Sequence, residues 1–366
     1  MSAAGEGMML RSLLGYALAL AAGVGACLAQ TNQQVYAGKQ INLTINFTAG
    51  GPTDLEGRLF GRYLSKHLAG SPPVIALNRE GGGGITGAIA LGEHGAKDGT
   101  SVGYLTAVAW NFAMFPEKFP VPIRQFEFVA FQSGTSVSYV RTSSLKAPVS
   151  ASGFLRAENL VVGGLSAGEV KDVLMRLTLD MLGIKYKYVT GYQSSGAARL
   201  ALQRGEIDFH SESLPGYLGV VSPQLVSKGL VAPLFFDSMY DGKEVRSVDV
   251  PGVDAPAFHE FFAKEMGSSP TGQLWNAYLG VLAANQAAQR LVVLPPGSSQ
   301  VALRALREAV VAMNSDREFS EAAIKVLGFA PRYETGSDTN DQMAAIFDSV
   351  TPATLQFVRE YMAKPN

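Results

Sequence analysis

Apolar residues alternate with polar ones at Ile41, Leu43, Ile45 and Phe47, the period of a strand with one buried face. The turn Thr48-Ala-Gly50-Gly51-Pro52-Thr53-Asp54 follows. Leu55, Leu59, Tyr63 and Leu64 then recur at helical spacing, with Thr53 and Glu56 placed as a capping box. Strand, glycine turn and helix are therefore predicted in succession. The order returns at once: Pro73 to Leu77 fits a short strand, Asn78-Arg-Glu-Gly81-Gly82-Gly83-Gly84 a turn, and Ile85 to Gly92 a helix. Four consecutive glycines are costly inside regular structure and useful where backbone takes positive φ or approaches a ligand closely. Further strands are predicted at Ser101–Thr106, Phe128–Phe131 and Val137–Val140.

A second cycle opens at Asn159-Leu-Val-Val-Gly163-Gly164. Ser166 and Glu169 repeat the capping-box spacing, and Val170, Leu174, Leu177 and Met181 share one helical face. Ile184 to Val189 alternates as a strand, Thr190 to Gly196 turns, and Ala197 to Arg204 predicts a helix stopped by Gly205. Gly229 to Phe236 reads as a return strand, Asp241-Gly242 as a turn and Leu291 to Leu294 as a buried strand. Helices are expected over 256–266 and 272–281, and after Ser299, Asp316 and Thr351. Strands alternating with helices indicate an α/β fold.

The 366 residues are 47% hydrophobic and 17% charged with a formal net charge of -1, which supports two domains with adequate cores and offers no basic surface for nucleic acid. The N-terminus differs in kind. After Arg11, the apolar run Ser12 to Val24 has the form of a secretory signal and is short for a membrane span. Cleavage after Ala29 would make 1–29 the signal segment. The box ending in Cys27, the sole cysteine, instead fits removal of 1–26 and lipidation of Cys27. The mature protein is expected in the periplasm, free or held to a membrane by that lipid.

The glycine turns carry the candidate chemistry. In open α/β sheets, ligands lie at strand C-terminal edges, where helix amides favour an anion. That places Phe47, Thr48, Gly50, Gly51, Asp54, Gly82, Gly83 and Gly84 near a site, with Asp54 expected to bind backbone or water. Gly83 and Gly84 are candidate amide donors. Ser166, Tyr192 and Ser195 are candidate hydroxyl contacts, although Ser166 and Ser195 fit simple helix capping equally well. Trp110, with Phe112, is either a wall reading an apolar portion of the ligand or core. His67, His94, His210 and His259 have no spacing that identifies a catalytic triad, and no motif implies a metal or a cofactor.

Taken in order, Phe-Thr-Ala-Gly-Gly-Pro-Thr-Asp from Phe47, Asn78 to Gly84 continuing to Gly87, Lys97-Asp98-Gly99-Thr100, Gly163-Gly164-Leu-Ser166-Ala-Gly168 and Tyr192-Gln-Ser194-Ser195-Gly196-Ala-Ala198 with Gly205 and Ile207-Asp208 resemble the tripartite tricarboxylate transport solute-binding proteins, the Bug family. The resemblance runs from about Gln40 to the C-terminus. It departs at Glu80 and Gly81, where proline and glycine are usual, and at Ser194 and Ala197, where glycine and proline are.

This resemblance implies a bilobed type II periplasmic-binding-protein-like fold with two mixed-sheet domains: 38–148 and 235–366 as the first lobe, 149–234 as the second. It implies no enzymatic activity, and binding of a small organic carboxylate by loop amides, hydroxyls and water. Ala167, Ser194 and Asp208 join the implied site residues. The implied partners are the membrane subunits of a tripartite transporter, served by a monomeric receptor. Two other roles fit the same chain: a sensory carboxylate-binding protein and an exported hydrolase.

Overall fold

The structure is a computed structural model describing residues 35–145, 150–240, 243–286 and 288–363. The signal segment, Cys27 and the Asp241-Gly242 turn lie outside the described residues. Two five-stranded mixed sheets form its frame. In the first, β1 (Ile41–Ile45) pairs in parallel with β2 (Val74–Asn78) and β3 (Ser101–Thr106). Its strand β4 (Glu127–Gln132) joins through the late strand β12 (Arg290–Leu294), which runs antiparallel to both β3 and β4.

The second sheet repeats the plan. β6 (Leu160–Gly163) is parallel to β7 (Tyr186–Val189) and β8 (Phe209–Ser213), while β5 (Ser136–Arg141) is antiparallel to β8 and to β9 (Val231–Phe236). Each sheet thus holds one strand running against four parallel ones, inserted where the chain crosses between lobes. β10 (Met239–Tyr240) and β11 (Val245–Arg246) form a separate small ribbon. The architecture is a bilobed type II periplasmic-binding-protein-like fold.

Helices pack where the apolar stripes predict. α1 (Pro52–His67) buries Leu59, Phe60, Tyr63 and Leu64 on the first sheet, and α2 (Ile85–His94) buries Ile85, Ala88 and Leu91. α3 (Val108–Met114) carries Trp110 and Phe112 and is a helix that the sequence pattern does not predict. Its burial of Val108, Ala109, Trp110 and Met114 stabilises seven residues too short to show helical periodicity. In the second lobe α4 (Ala151–Leu155), α5 (Val170–Met181) and α6 (Ser195–Arg204) surround the sheet, followed by a π-helical stretch at Tyr217–Val226.

The lobe boundaries differ from the expected ones. β5 and all of β9 belong to the second sheet, so the chain crosses between Gln132 and Ser136 rather than at 148, and returns after Phe236. Alternation reports that a strand is half buried, not which sheet it joins. α7 (Phe258–Met266) and α8 (Gly272–Gln286), expected in the first lobe, share a core with α5, Phe209 and Phe235 of the second. α9 (Gln300–Asn314) and α10 (Arg317–Leu327) return to the first sheet, with Ser299 and Asp316 as their N-caps. α11 (Thr339–Asp348) packs beside β4, and α12 (Pro352–Ala363) docks through Val358 and Tyr361 into the second-lobe core. Among the described residues no helix is long and apolar enough to cross a membrane.

Candidate functional site

The site is built from backbone conformations that favour glycine. Gly81, Gly82, Gly83 and Gly84 all have positive φ (125°, 59°, 67° and 95°), and a Cβ on Gly84 would lie 2.4 Å from Asn46 Nδ2. Asn46 explains the tight approach: its Nδ2 donates to the carbonyls of Gly84 and Thr106, and its Oδ1 accepts from the Thr106 amide. Asn111 on α3 clamps the same turn by donating to the Gly83 carbonyl at 2.8 Å. Neither asparagine carried a sequence signal, because an Asn beside a glycine turn looks like any loop residue.

Asp54 performs the corresponding service for the first turn. Its carboxylate accepts from the Gly50 amide, from Arg58 and from Asn78, whose amide group also donates to the Phe47 carbonyl. Burial opposes ionisation of Asp54, yet these bonds outweigh it and hold the carboxyl below its ordinary range. Asp54 therefore shapes the loop and lines neither cavity described below, in keeping with an acid directed at backbone.

The four helix N-termini at the cleft are not equivalent. α1 begins at Pro52 with no side-chain cap on Gly51, and α2 begins after Gly84 without one. The capping box expected at Thr53 and Glu56 is absent because Glu56 is turned into the core toward Arg290. The second-lobe helices cap themselves. Glu169 accepts from the amides of Lys171 and Asp172, so Glu169 rather than Ser166 is the N-cap of α5; Ser194 caps α6 by accepting from the Ala197 amide. Helix starts without a side-chain cap thus lie on the first lobe, although at α2 the Thr86 amide is taken by the Gly81 carbonyl.

Behind the α5 terminus, Asp172 accepts from the Ser166 amide and the Tyr188 hydroxyl, both at 2.8 Å, and fixes the 164–168 loop much as Asp54 fixes the first. Burial, then the neighbouring Glu169, pushes its carboxyl up to about 7.

Between the lobes lie two adjoining cavities. The smaller, about 70 Å³, is lined by Gly51, Pro52 and Thr53 from the first lobe and by Lys171, Ser194 and Ser195 from the second, with Asn285, Gln289 and Arg290 at its back. The larger, about 400 Å³, is lined by Gly81 to Gly84 on one side and by Ser166, Gly191 and Tyr192 on the other. Phe47, Thr48, Leu165 and Glu169 border both.

Most expected residues therefore meet. Phe47, Thr48, Gly51, Gly82, Gly83, Gly84, Ser166, Tyr192, Ser194 and Ser195 share the cleft. The Gly84 amide is already used by the Gly81 carbonyl, so of the two glycines named as donors only Gly83 keeps that role. Gly50 and Ala167 stand beside the lining rather than in it.

Trp110 and Asp208 do not reach the cleft. The Trp110 indole is fully buried and donates to the Gly168 carbonyl at 3.1 Å, while Phe112 packs edge-on against Phe119 and Phe347. Asp208 is held by Arg141, Ser144 and the Val161 amide at the far end of β6. Lys171, Asn285, Gln289 and Arg290 are among the lining residues that sequence reasoning missed. They sit in the first turn of α5, at the end of α8, in the bend after it and at the start of β12, positions that carry no glycine or hydroxyl turn of their own.

The four histidines are dispersed. His210 is buried with Nδ1 against the Gly163 carbonyl, His67 meets Asp316, His259 meets Ser238, and His94 is exposed beside Glu93. Among the described residues no group of three or more His, Cys, Asp or Glu side chains is placed to hold a metal ion.

No family model matches the chain. A curated relative, the UPF0065 protein in the TAR-I ttuE-ttuC′ intergenic region of Agrobacterium vitis, is 29% identical over 180 residues, 48% of this chain and 51% of that protein. The chain thus spans about half the length of the curated relative it matches. Among solved structures, the periplasmic binding protein BugD superposes with a TM-score of 0.64 at 17% identity, covering 88% of this chain and 97% of that one. Rpa4515 of R. palustris with adipate has a TM-score of 0.64 at 19% identity, again covering 88% and 97%. The likeness establishes the fold of a periplasmic binding protein for this chain.

Proposed function

We propose that this protein is an extracytoplasmic receptor that captures a small organic carboxylate between its lobes and presents it to the membrane subunits of a tripartite tricarboxylate transporter. The observation that carries the reading is the convergence of two helix N-termini without side-chain caps, those of α1 and α2, on cavities whose opposite wall is supplied by the other lobe. Amides so placed stabilise an anion without a counter-charge of their own. A ligand touching both walls favours the closed arrangement over any open one by its differential affinity, which lets a transporter distinguish loaded from empty receptor. The relative solved with adipate supports the carboxylate, and the ordered glycine phrases support the transporter class.

Calorimetry of the purified mature protein against malate, succinate, adipate, citrate and benzoate tests the reading. One-to-one binding of at least one acid is expected, and absence of binding by all of them, in folded protein, refutes it.

A further inference from the structure

Resting on that reading, we infer that Lys171 is a ligand-binding cation: it takes the carboxylate from the second-lobe side while the amides of α1 take it from the first.

Lys171 occupies the first turn of α5 and lines the smaller cavity opposite Gly51, Pro52 and Thr53. Its ammonium donates to Ser195 Oγ at 2.8 Å, and among the described residues it forms no ion pair with a carboxylate. An ammonium has three donors, so a single hydroxyl leaves capacity unused. The nearest lining acid, Glu169, turns Oε2 onto the amides of Lys171 and Asp172 as the cap of α5.

A second, independent feature points the same way. Arg290 lines this cavity at 2% exposure, and although Nε binds Glu56 and Nη1 binds Thr106, Nη2 has no hydrogen-bond partner. A buried donor left unsatisfied is costly, so the residue at the back of this cavity has hydrogen-bonding capacity that its protein neighbours do not use. Ser195, Asn285 and Gln289 add further polar groups to the lining. A lining so rich in donors suits an acceptor-rich group, and a carboxylate is a small organic group of that kind. Recognition by a full cation departs from the amide, hydroxyl and water contacts that the Bug resemblance implies.

The competing role is purely structural, with Lys171 serving to hold Ser195 and the start of α6. Three variants separate the roles. Using whichever acid of the panel binds most tightly, together with its amide, dissociation constants are measured for wild type, Lys171→Met, Lys171→Arg and Ser195→Ala, at low and at physiological salt. Lys171→Met is expected to cut the preference for acid over amide by about tenfold or more and to flatten the salt dependence, as loss of a charge-assisted contact requires. Lys171→Arg should restore most of the preference, and Ser195→Ala, which removes a lining hydroxyl but keeps the charge, should weaken acid and amide alike and leave their ratio near that of wild type.

If Lys171→Met binds the acid with undiminished preference, or if Ser195→Ala reproduces the loss in full, the inference is overturned while the carboxylate reading stands. If no acid of the panel binds wild type, both fall together. Melting curves identify any variant whose loss reflects unfolding; should Lys171→Met prove unfolded, Lys171→Gln takes its place and is read by the same criteria.

Discussion

Arg290 Nε donates to Glu56 Oε2 at 2.6 Å, joining β12 to α1 with side chains only 2% and 1% exposed. Two ions have been withdrawn from water here, and their attraction offsets that loss only while both are present. Removing one partner of such a pair costs about 3–5 kcal/mol, whereas replacing both with apolar residues costs far less. Glu56→Gln and Arg290→Met should each lower the denaturant midpoint sharply, and Glu56→Leu combined with Arg290→Met should recover much of the loss. A single variant as stable as wild type contradicts the assignment.

The glycine turn predicts a contrast between neighbours. At Gly83, φ is 67° and the nearest atom to an added Cβ is 3.8 Å away, so Gly83→Ala meets only backbone strain of about 1–2 kcal/mol. At Gly84 the same strain is joined by collision with Asn46 and Phe47. Gly84→Ala should therefore melt at a distinctly lower temperature than Gly83→Ala and bind the carboxylate more weakly. Equal melting temperatures would show that the turn is not clamped by Asn46.

Asp54→Ala tests whether loop shape governs affinity from outside the cavity. Deleting the carboxylate orphans the Gly50 amide and frees Arg58 and Asn78, at a cost of about 1–3 kcal/mol in stability. The protein should still fold, with ligand affinity reduced several-fold. An unaltered dissociation constant would mean that the Thr48–Asp54 turn holds its form without Asp54.

A buried acid sets a pH signature. Burial pushes the Asp237 carboxyl up to about 7, so between the unfolded value near 4 and about 7 the folded state holds a proton that the unfolded state has lost. Its contribution to stability therefore falls as pH rises through that window and is flat above it. His210, kept neutral by burial, works the other way: below about 6.5 the unfolded chain takes up a proton that the folded state refuses. The two slopes oppose, so the informative quantity is the difference between wild type and Asp237→Asn. Across pH 4 to 7, stability of the variant relative to wild type should climb by roughly one proton's slope; a flat difference would place the Asp237 titration elsewhere.

Local pattern carried most of the frame. The strand beginning at Ile41, which ends at Ile45 rather than Phe47, the stripe from Val170 to Met181 and the caps at Ser299 and Asp316 all form, because each is decided within a few residues. The glycine turns and the serines were legible as a site for the same reason. Strand membership was not, since whether Val137 and Val140 pair with β4 or with β8 depends on residues seventy positions away. Nor was the role of Thr53 and Glu56, whose spacing matches a cap but whose acid finds Arg290 across the sheet. Lys171 was hidden on a helix face that reads as solvent-exposed until the opposite lobe is in place.

The Trp110 indole, sealed from water and bonded to the Gly168 carbonyl, spans the seam between the lobes. Any parting of the seam must wet the ring and break that bond, so intrinsic fluorescence becomes a direct gauge of opening. With Trp275, the only other tryptophan, changed to phenylalanine, the remaining emission should shift to the red as the halves separate and return to the blue when the cleft shuts.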